Sequence, residues 1–153
     1  MKKMNKTGKR ILSTPKRNQH YPYGAYLLLF CLNTKTLLPP KFSGYLRPGY
    51  YGYVGNAWGS GGLRTRCARH LRIKKIKHWH IDWLTCHANK LRVAVYPKAN
   101  ECYLFKHLCY LPRTSIPIKG FGNSDCKTCP SHLLKLSSNF SLKQFRQPSF
   151  FLT

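Results

Sequence analysis

The segment spanning residues 50–70 combines three kinds of group that can act on a phosphate. Tyrosine phenols come first, a glycine-rich turn at 59–62 follows, and the next residues include Arg66, Arg69 and His70. Guanidinium groups and free backbone N–H groups at a helix start bind phosphate oxygens, while phenols and imidazoles transfer protons. The three basic side chains are spaced so that they share one face if the segment is helical. This combination predicts a site that holds a phosphate group beside a phenol or imidazole. Each part also has an ordinary alternative, since tyrosines on strands are often core residues and arginines on a helix often face solvent.

Three short apolar stretches predict the β-strands that position these groups: residues 26–32, 50–54 and 91–96. The first is continuously apolar, which is typical of a buried strand. Side chains alternate along a strand, so Tyr51 and Tyr53 are expected on one face of the sheet. A loop containing two consecutive prolines is predicted between the first two strands.

Three segments are predicted to be helical: residues 60–71, 79–87 and 100–110. Ser60 is the expected cap of the first helix, and Pro112 ends the third. Together the elements predict an α+β fold, in which helices flank a three-stranded, mostly antiparallel sheet.

Composition divides the chain into three parts. Residues 1–19 are rich in Lys and Arg and contain no acid, which predicts a disordered basic tail. The folded domain is expected over residues 20–136. Residues 137–153 contain serines, phenylalanines and a proline, and they are predicted to form a second tail.

The charge balance predicts a polyanionic partner. The 153-residue chain has 27 Lys and Arg against three carboxylates, Asp82, Glu101 and Asp125, which gives a formal net charge of +24. A compact fold with this charge repels itself unless a polyanion shares the charge. Nucleic acid is therefore the expected partner.

A membrane partner is not expected. The longest apolar run, residues 25–32, is far shorter than the roughly 20 residues that a membrane-spanning helix needs. We therefore expect a cytoplasmic protein, associated with the nucleoid if the source is a prokaryote.

Basic side chains on and after the first predicted helix are the expected contacts with nucleic acid. They are Arg64, Arg69, Arg72, Lys74 and Lys75, together with His80 from the next helix. The competing interpretation of such a series is an ordinary solvated helix face.

Two motifs around the first two strands resemble those of the GIY-YIG nucleases. The stretch GAY at residues 24–26 and the stretch YVG at residues 53–55 are similar to the paired motif of that family. In the family, a helix after the second motif has an essential arginine, and LRTRCARH puts Arg66 at that position, with His70 one turn later. The family also requires a glutamate on a later helix, where Glu101 fits.

The chain is most similar to a branch of this group that is sometimes joined to the DNA glycosylase endonuclease III. The similar stretches are GYYGYVGNAWG, LRTRCARHLR, KHWHIDWL, NEC and GFGNSDCKTCPSHL, and the likeness spans residues 23–134. Two departures are Ala25 in place of isoleucine and a longer spacing between Tyr26 and Tyr53. The fusion implies a repair protein as a partner.

The resemblance implies hydrolysis of phosphodiester bonds in DNA, favoured over RNA, with one Mg²⁺ or Mn²⁺ ion. By this likeness Glu101 would bind the ion and Arg66 would neutralise charge on the phosphoryl oxygens. Tyr26 would activate the attacking water, with help from Tyr53 or His70.

The other carboxylates leave alternatives open. Asp82 and Asp125 are rival ligands for a hard cation, which prefers oxygen. Glu101 has a second interpretation as a residue that the helix dipole favours at a helix start. His78 lies four residues before Asp82 and could orient it. The alternative is that His78 and His80 lie at the edge of a core packed by the neighbouring apolar residues, which include Trp79 and Trp83.

The chain has seven cysteines, and their odd number argues against a disulfide framework. Cys126, Cys129 and His132 have a spacing compatible with a shared zinc ion, which Cys102 would complete if the fold brought it near. Members of the branch have a cysteine pair here at a shorter spacing. We therefore favour a role in turns and hydrogen bonds over a structural zinc site.

Three functions fit the chain. The first is a metal-dependent DNA endonuclease, linked to repair by the likeness alone. The second is a basic nucleic-acid-binding scaffold without catalysis, and the third is a ribosomal or RNA-associated protein. The presence of Tyr26, Arg66 and Glu101 in one chain favours the enzyme.

Overall fold

The structure, a computed structural model, describes residues 23–145, so the predicted basic tail at 1–19 lies outside the described residues. The strands are β1 (Gly24–Leu32), β2 (Thr36–Leu37), β3 (Tyr45–Leu46), β4 (Gly49–Asn56), β5 (Asn89–Pro97) and β6 (Leu133–Leu136). The helices are α1 (Gly62–Leu71), α2 (His80–Thr85) and α3 (Glu101–Cys109), and a 3₁₀ turn follows at Leu142–Phe145.

The main sheet has four strands in the order β5-β1-β4-β6, and its pairings are all antiparallel. The α+β class and the three predicted strands are confirmed, but the sheet has a fourth strand that the sequence did not indicate. Strand β6 is only four residues long and follows a loop rich in Gly, Ser and Cys. It pairs with β4 from Tyr53 opposite Leu133 to Tyr50 opposite Leu136.

Helices cover both faces of this sheet. One face packs against α1 and α2 through a cluster of buried side chains that includes Tyr26, Leu28, Phe30, Tyr51, Tyr53, Leu63, Ile81, Leu84, Val93 and Phe121. The other face packs against α3 through Ala25, Leu27, Leu29, Val54, Tyr96, Leu104, Phe105, Leu108 and Leu134. Strand β1 supplies both clusters, which explains why its apolar run is continuous.

The tyrosines of β4 alternate as predicted. Tyr51 and Tyr53 belong to the cluster beneath α1, while Tyr50 packs against the cluster on the α3 side. The alternation therefore sends Tyr53 to the same face as Tyr26 of β1.

Helix α1 does not begin as predicted. Its N-cap is Gly61, with φ 82°, and not Ser60. The left-handed backbone at Gly61 disfavours any side chain with a Cβ, so glycine and the turn geometry set the start of the helix. Helix α3 starts on a side-chain cap, because the amide oxygen of Asn100 accepts a hydrogen bond from the Cys102 N–H at 2.8 Å.

Two segments outside the main sheet contain more structure than expected. The loop between β1 and β4 contains a small hairpin, in which β2 pairs with β3. In the predicted C-terminal tail, the ring of Phe140 lies 6.4 Å from that of Tyr50. Within residues 23–145, no helix has the length and apolar composition that a membrane crossing requires.

Candidate active site

A cavity of about 250 Å³ opens where β1 begins and β4 ends, between α1 and the start of α3. Five predicted site residues line it: Tyr26, Tyr53, Arg66, His80 and Glu101. Other lining residues include Gly55, Asn56, His78, Trp79, Asp125 and His132. The structure therefore brings together in one cavity groups that lie far apart in the chain.

Tyr26 lies directly opposite Gly55 in the pairing of β1 with β4. A Cβ atom at position 55 would lie 2.3 Å from the ring Cζ and from the hydroxyl oxygen of Tyr26. Only glycine leaves room for the phenol there. The glycine of the YVG stretch thus has a steric role in placing the tyrosine of the GAY stretch.

The hydroxyl of Tyr26 lies 2.8 Å from Nε2 of His70, and both side chains are buried. Burial raises the pKa of Tyr26 well above its ordinary value, Tyr53 raises it further and Arg66 opposes the rise. Burial, and next the charge of Lys75, lowers the pKa of His70 to about 3. The pair is therefore a neutral phenol beside a neutral imidazole at neutral pH.

Tyr53 is buried beside the same cavity. Its hydroxyl donates a long hydrogen bond of 3.5 Å to the carbonyl of Gly122, and burial raises the pKa of the phenol. Gly122 has φ 70°, and a Cβ there would lie 2.5 Å from the Tyr53 ring. The loop before β6 thus approaches Tyr53 as closely as a glycine permits.

Arg66 is positioned by stacking. Its guanidinium carbon lies 4.6 Å from the centre of the Trp79 ring, and that of Arg69 lies 4.4 Å from the same centre. Among the described residues Arg66 has neither a hydrogen bond nor an ion pair, so its N–H groups are free for a ligand. A cation–π contact holds the planar group in place without using those donors.

Asp82 links helix α1 to the start of helix α2 through hydrogen bonds. It is fully buried, and its carboxylate accepts two hydrogen bonds from Arg69, at 2.9 and 2.8 Å, and one each from the backbone N–H groups of His78 and Trp79. Burial raises the pKa of Asp82, but these hydrogen bonds outweigh it and lower the pKa to about 2. Because its oxygens are occupied, Asp82 is not available as a rival metal ligand. His78 orients it through the backbone and not through the imidazole.

Glu101 and Asp125 are the carboxylates that line the cavity. Glu101 is the first residue of α3, and its Oε1 accepts a hydrogen bond of 2.9 Å from the side-chain amide of Asn56. Asn56, at the end of β4, is a site residue that sequence reasoning missed. It directly follows the YVG stretch, which could have drawn attention to it.

His80 lies at the cavity wall on the first residue of α2. Its Nδ1 accepts a hydrogen bond of 3.1 Å from the Gly122 N–H, and burial followed by the charge of Lys41 lowers its pKa. The neutral ring therefore has its proton on Nε2, where it can donate to an oxygen.

The predicted nucleic-acid contacts fall into two groups. Arg64, Arg72 and Lys74 are exposed. Arg69 instead pairs with Asp82, and Lys75 donates a hydrogen bond of 2.8 Å to the carbonyl of His70, with only 4 % of its side chain exposed. The structure therefore uses Arg69 and Lys75 within the fold, since the buried Asp82 carboxylate requires cations.

An exposed aromatic pair lies beside the end of β4. The rings of Tyr23 and Trp58 are stacked, with centres 6.2 Å apart and planes 12° apart. Their exposed fractions are 43 % and 52 %. Sequence reasoning missed this pair, which offers a flat surface to a planar ligand.

A second group of side chains could hold a metal ion. Cys102, Cys126, Cys129 and His132 each offer one ligand atom, and these four atoms lie within 4.8 Å of one another. The fold thus brings Cys102 to the three residues whose spacing suggested zinc. The arrangement is compatible with zinc as well as with the predicted role in turns and hydrogen bonds. The sequence did not show the full cluster, because it depends on how α3 packs against the loop before β6.

The three thiols differ in how readily they ionise. Burial raises the pKa of Cys126, but hydrogen bonds from Thr128 and from the backbone of Cys129 outweigh it and lower the pKa to about 6. Burial raises the pKa of Cys102 and of Cys129. A single thiolate is therefore favoured in the protein alone, and a full set requires a cation.

A larger cavity of about 930 Å³ lies at the opposite end of β1 and β4. Its lining includes Leu32, Pro48, Tyr50, Arg92 and Phe140, with a hydrogen bond from Arg92 to the Tyr50 hydroxyl. No carboxylate of the described residues lines it. The smaller cavity is therefore the candidate active site, because it contains the acids, the phenols and the free guanidinium.

Comparison with protein families gives a match over most of the chain. Residues 25–150 match a family described as a domain of unknown function, DUF123. Neither the curated proteins nor the solved structures include a match to the chain. The family match reaches beyond the predicted domain end at 136 and covers most of the chain, and the protein therefore belongs to the DUF123 family.

Proposed function

We propose that this protein is an endonuclease that hydrolyses phosphodiester bonds in DNA with the help of one Mg²⁺ or Mn²⁺ ion. The observation behind the proposal is that Tyr26, Tyr53, Arg66 and Glu101 all line one cavity. These are the residues that the likeness to GIY-YIG nucleases singled out. We also propose that the protein is related to the branch joined to endonuclease III and that it acts with a partner in DNA repair.

The carboxylates of the cavity suit a hard divalent cation. Glu101 uses Oε1 to accept one hydrogen bond from Asn56, which leaves its other lone pairs for a metal. Asp125 lines the same cavity, while Asp82 is occupied by Arg69. We propose that Glu101 is the principal ligand. When bound, the ion polarises the phosphate and stabilises the leaving oxygen.

Arg66 neutralises charge on the phosphoryl oxygens. Its guanidinium is held over Trp79 with its N–H groups unpaired among the described residues, so it needs no rearrangement when a phosphate arrives. A donor that is already in place stabilises developing charge more than one that must be ordered first. His80 supplies a second donor through Nε2.

Tyr26 would accept the proton of the attacking water as a phenolate. Its own proton would pass to Nε2 of His70, 2.8 Å away, and the nearby Arg66 favours the phenolate against the effect of burial. A positive charge bound at Glu101 would favour that form further, because a nearby cation lowers the pKa of a phenol.

DNA binds to exposed basic and aromatic side chains. Arg64, Arg72 and Lys74 provide charge for phosphates, and the stacked Tyr23 and Trp58 offer a platform for a base. The net charge of +24 supports a polyanionic partner of this kind.

The test is a cleavage assay with labelled single-stranded, duplex, nicked and branched DNA, and with matching RNA. Each substrate is incubated with Mg²⁺, with Mn²⁺ and with chelator. Glu101→Gln keeps an acceptor for Asn56 but loses the charge, and Arg66→Gln removes the guanidinium. Both should lower cleavage by about 100-fold or more while DNA binding persists.

Arg113→Gln is the matched control, since it removes an exposed arginine that does not line the cavity. It should cleave like the wild type. Tight binding without cleavage of any substrate in either metal would overturn the proposal.

The second candidate function is a non-catalytic nucleic-acid-binding scaffold. The observation that favours it is the neutral pair Tyr26 and His70, since burial opposes the charged form of both groups. Such a scaffold would bind DNA or RNA through the same basic surface, and Glu101→Gln would leave its binding unchanged.

A further inference from the structure

The four potential ligands come from two separate parts of the fold. Cys102 lies in the first turn of α3, whereas Cys126, Cys129 and His132 lie on the loop that leads into β6. Their ligand atoms lie within 4.8 Å of one another, although Cys102 is 24 residues from Cys126. Such convergence of soft ligands from distant segments is typical of a site built for a metal.

The separations of the ligand atoms are compatible with a small tetrahedral site. The Sγ atoms of Cys102 and Cys126 are 3.3 Å apart. Zinc–sulfur bonds of about 2.3 Å in a tetrahedron place two sulfurs about 3.8 Å apart, so a small outward movement admits the ion. Cys126 and Cys129 also have the two-residue spacing that zinc sites use.

Backbone hydrogen bonding prepares Cys126 to act as a ligand. Its Sγ accepts a hydrogen bond of 3.3 Å from the Cys129 N–H, and the Thr128 hydroxyl lies 3.6 Å away. Donors around a metal-bound thiolate orient it and stabilise its charge. The loop thus supplies supporting contacts as well as ligands.

His132 provides an independent indication. Only 4 % of the residue is exposed, and its Nε2 has no hydrogen-bond partner among the described residues. A buried polar atom without a partner is costly, and coordination of a metal by Nε2 would supply that partner.

We propose that Cys102, Cys126, Cys129 and His132 bind one Zn²⁺ ion in a closed, four-ligand site. Three thiolates and an imidazole suit zinc, whereas Mg²⁺ and Mn²⁺ prefer the oxygen ligands offered by Glu101. The two sites are therefore chemically distinct. The zinc site does not depend on whether the protein is a nuclease.

The ion would fix one wall of the candidate active site. Cys102 directly follows Glu101, and Cys126 directly follows Asp125, so each cavity carboxylate is bonded to a ligand residue. His132 lies one residue before β6 begins. Zinc would therefore tie α3 to the loop and hold both carboxylates in position, which is a structural role and not a catalytic one.

The test measures metal in the full chain purified under reducing conditions without added zinc. Elemental analysis should give one zinc per chain. Replacement of the zinc by Co²⁺ should produce thiolate-to-cobalt charge-transfer absorption and the intense visible bands of a tetrahedral site. These bands report the ligand set in the wild-type protein, without any substitution.

Variants then identify the ligands. Cys126→Ser and His132→Ala should lose stoichiometric zinc, and His132→Cys should retain it because a fourth thiolate preserves the tetrahedron. Cys109→Ser is the matched control, since it changes a cysteine of the same helix outside the cluster. Hydrogen exchange of the loop before β6 should accelerate when zinc is removed from the wild type.

Two results would overturn the proposal. The first is wild-type protein with little zinc and an octahedral cobalt spectrum. The second is thiol counting and peptide mapping that find a disulfide between Cys102 and Cys126 in protein prepared under reducing conditions. Cleavage activity enters none of these readouts, so failure of the zinc site and failure of the nuclease proposal are distinguishable.

Discussion

The ring of Tyr26 occupies the space that a side chain at Gly55 would need. The two residues are partners across β1 and β4, and a Cβ at position 55 would lie 2.3 Å from the phenol. Both are buried within the sheet at the cavity. The relationship makes the two motifs a single structural unit, since neither residue can keep its position if the other is enlarged or moved.

Gly55→Ala should therefore destabilise the protein by about 1–3 kcal/mol and displace the Tyr26 ring. Urea unfolding measures the stability, and the proposed cleavage should fall because the phenol moves from its position. Gly59→Ala is the control for stability. A Cβ at position 59 would lie 3.7 Å from its nearest neighbour, the guanidinium of Arg66, which is an ordinary van der Waals contact. Equal stability of the two variants would contradict this steric role.

Tyr26→Phe should remove the hydroxyl that contacts His70. The variant leaves Nε2 of a fully buried imidazole without its partner, which should cost about 1–3 kcal/mol. A double-mutant cycle with His70→Leu measures the coupling between the two groups. If the effects of the two substitutions on the free energy of unfolding are additive, the hydrogen bond does not contribute to stability.

The titration of His70 should make stability depend on pH. The pKa of His70 is about 3 in the folded protein and ordinarily 6.5, so the unfolded chain takes up a proton as pH falls through this window while the folded chain does not. Stability should fall by about 1.4 kcal/mol per pH unit below about 6.5. His70→Gln should remove this slope in urea unfolding between about pH 4 and pH 7. An unchanged slope would show that other groups cause it.

Asp82→Asn should destabilise the fold. The folded pKa of Asp82 is about 2 against an ordinary 3.8, so its contribution is present above about pH 4 and is lost as pH falls towards 2. The shift corresponds to about 2 kcal/mol. The difference in stability from the wild type should therefore shrink over this window. Asp125→Asn, at an exposed carboxylate, should change stability little by comparison.

Arg72→Gln combined with Lys74→Gln should weaken DNA binding through the phosphates. The slope of log affinity against log salt should decrease by about 1 for each phosphate that the variant no longer neutralises. Lys90→Gln is the control, since Lys90 lines the cavity at the opposite end of the sheet. A salt slope that changes equally in the control per charge removed would mean that net charge alone matters.

The amino-acid sequence alone predicted the α+β class, three strands, the approximate helices and most of the residues that line the cavity. Strands β1, β4 and β5 form from runs that are locally apolar or aromatic, and such patterns report burial directly. Such local patterns survive in the fold because they depend only on neighbouring residues. Tyr26 and Glu101 were instead named by the likeness to the GIY-YIG nucleases, Tyr26 in the first of the paired motifs and Glu101 on a later helix.

Packing between distant segments selects the polar groups that are used within the fold and those that face the cavity. Arg69 and Arg66 look alike in the sequence, but the buried Asp82 binds the first and leaves the second free. Strand β6 exists because β4 offers it an edge, and Cys102 joins the cysteine pair because α3 packs against that loop. These outcomes depend on contacts between distant segments, whose energies no local pattern contains.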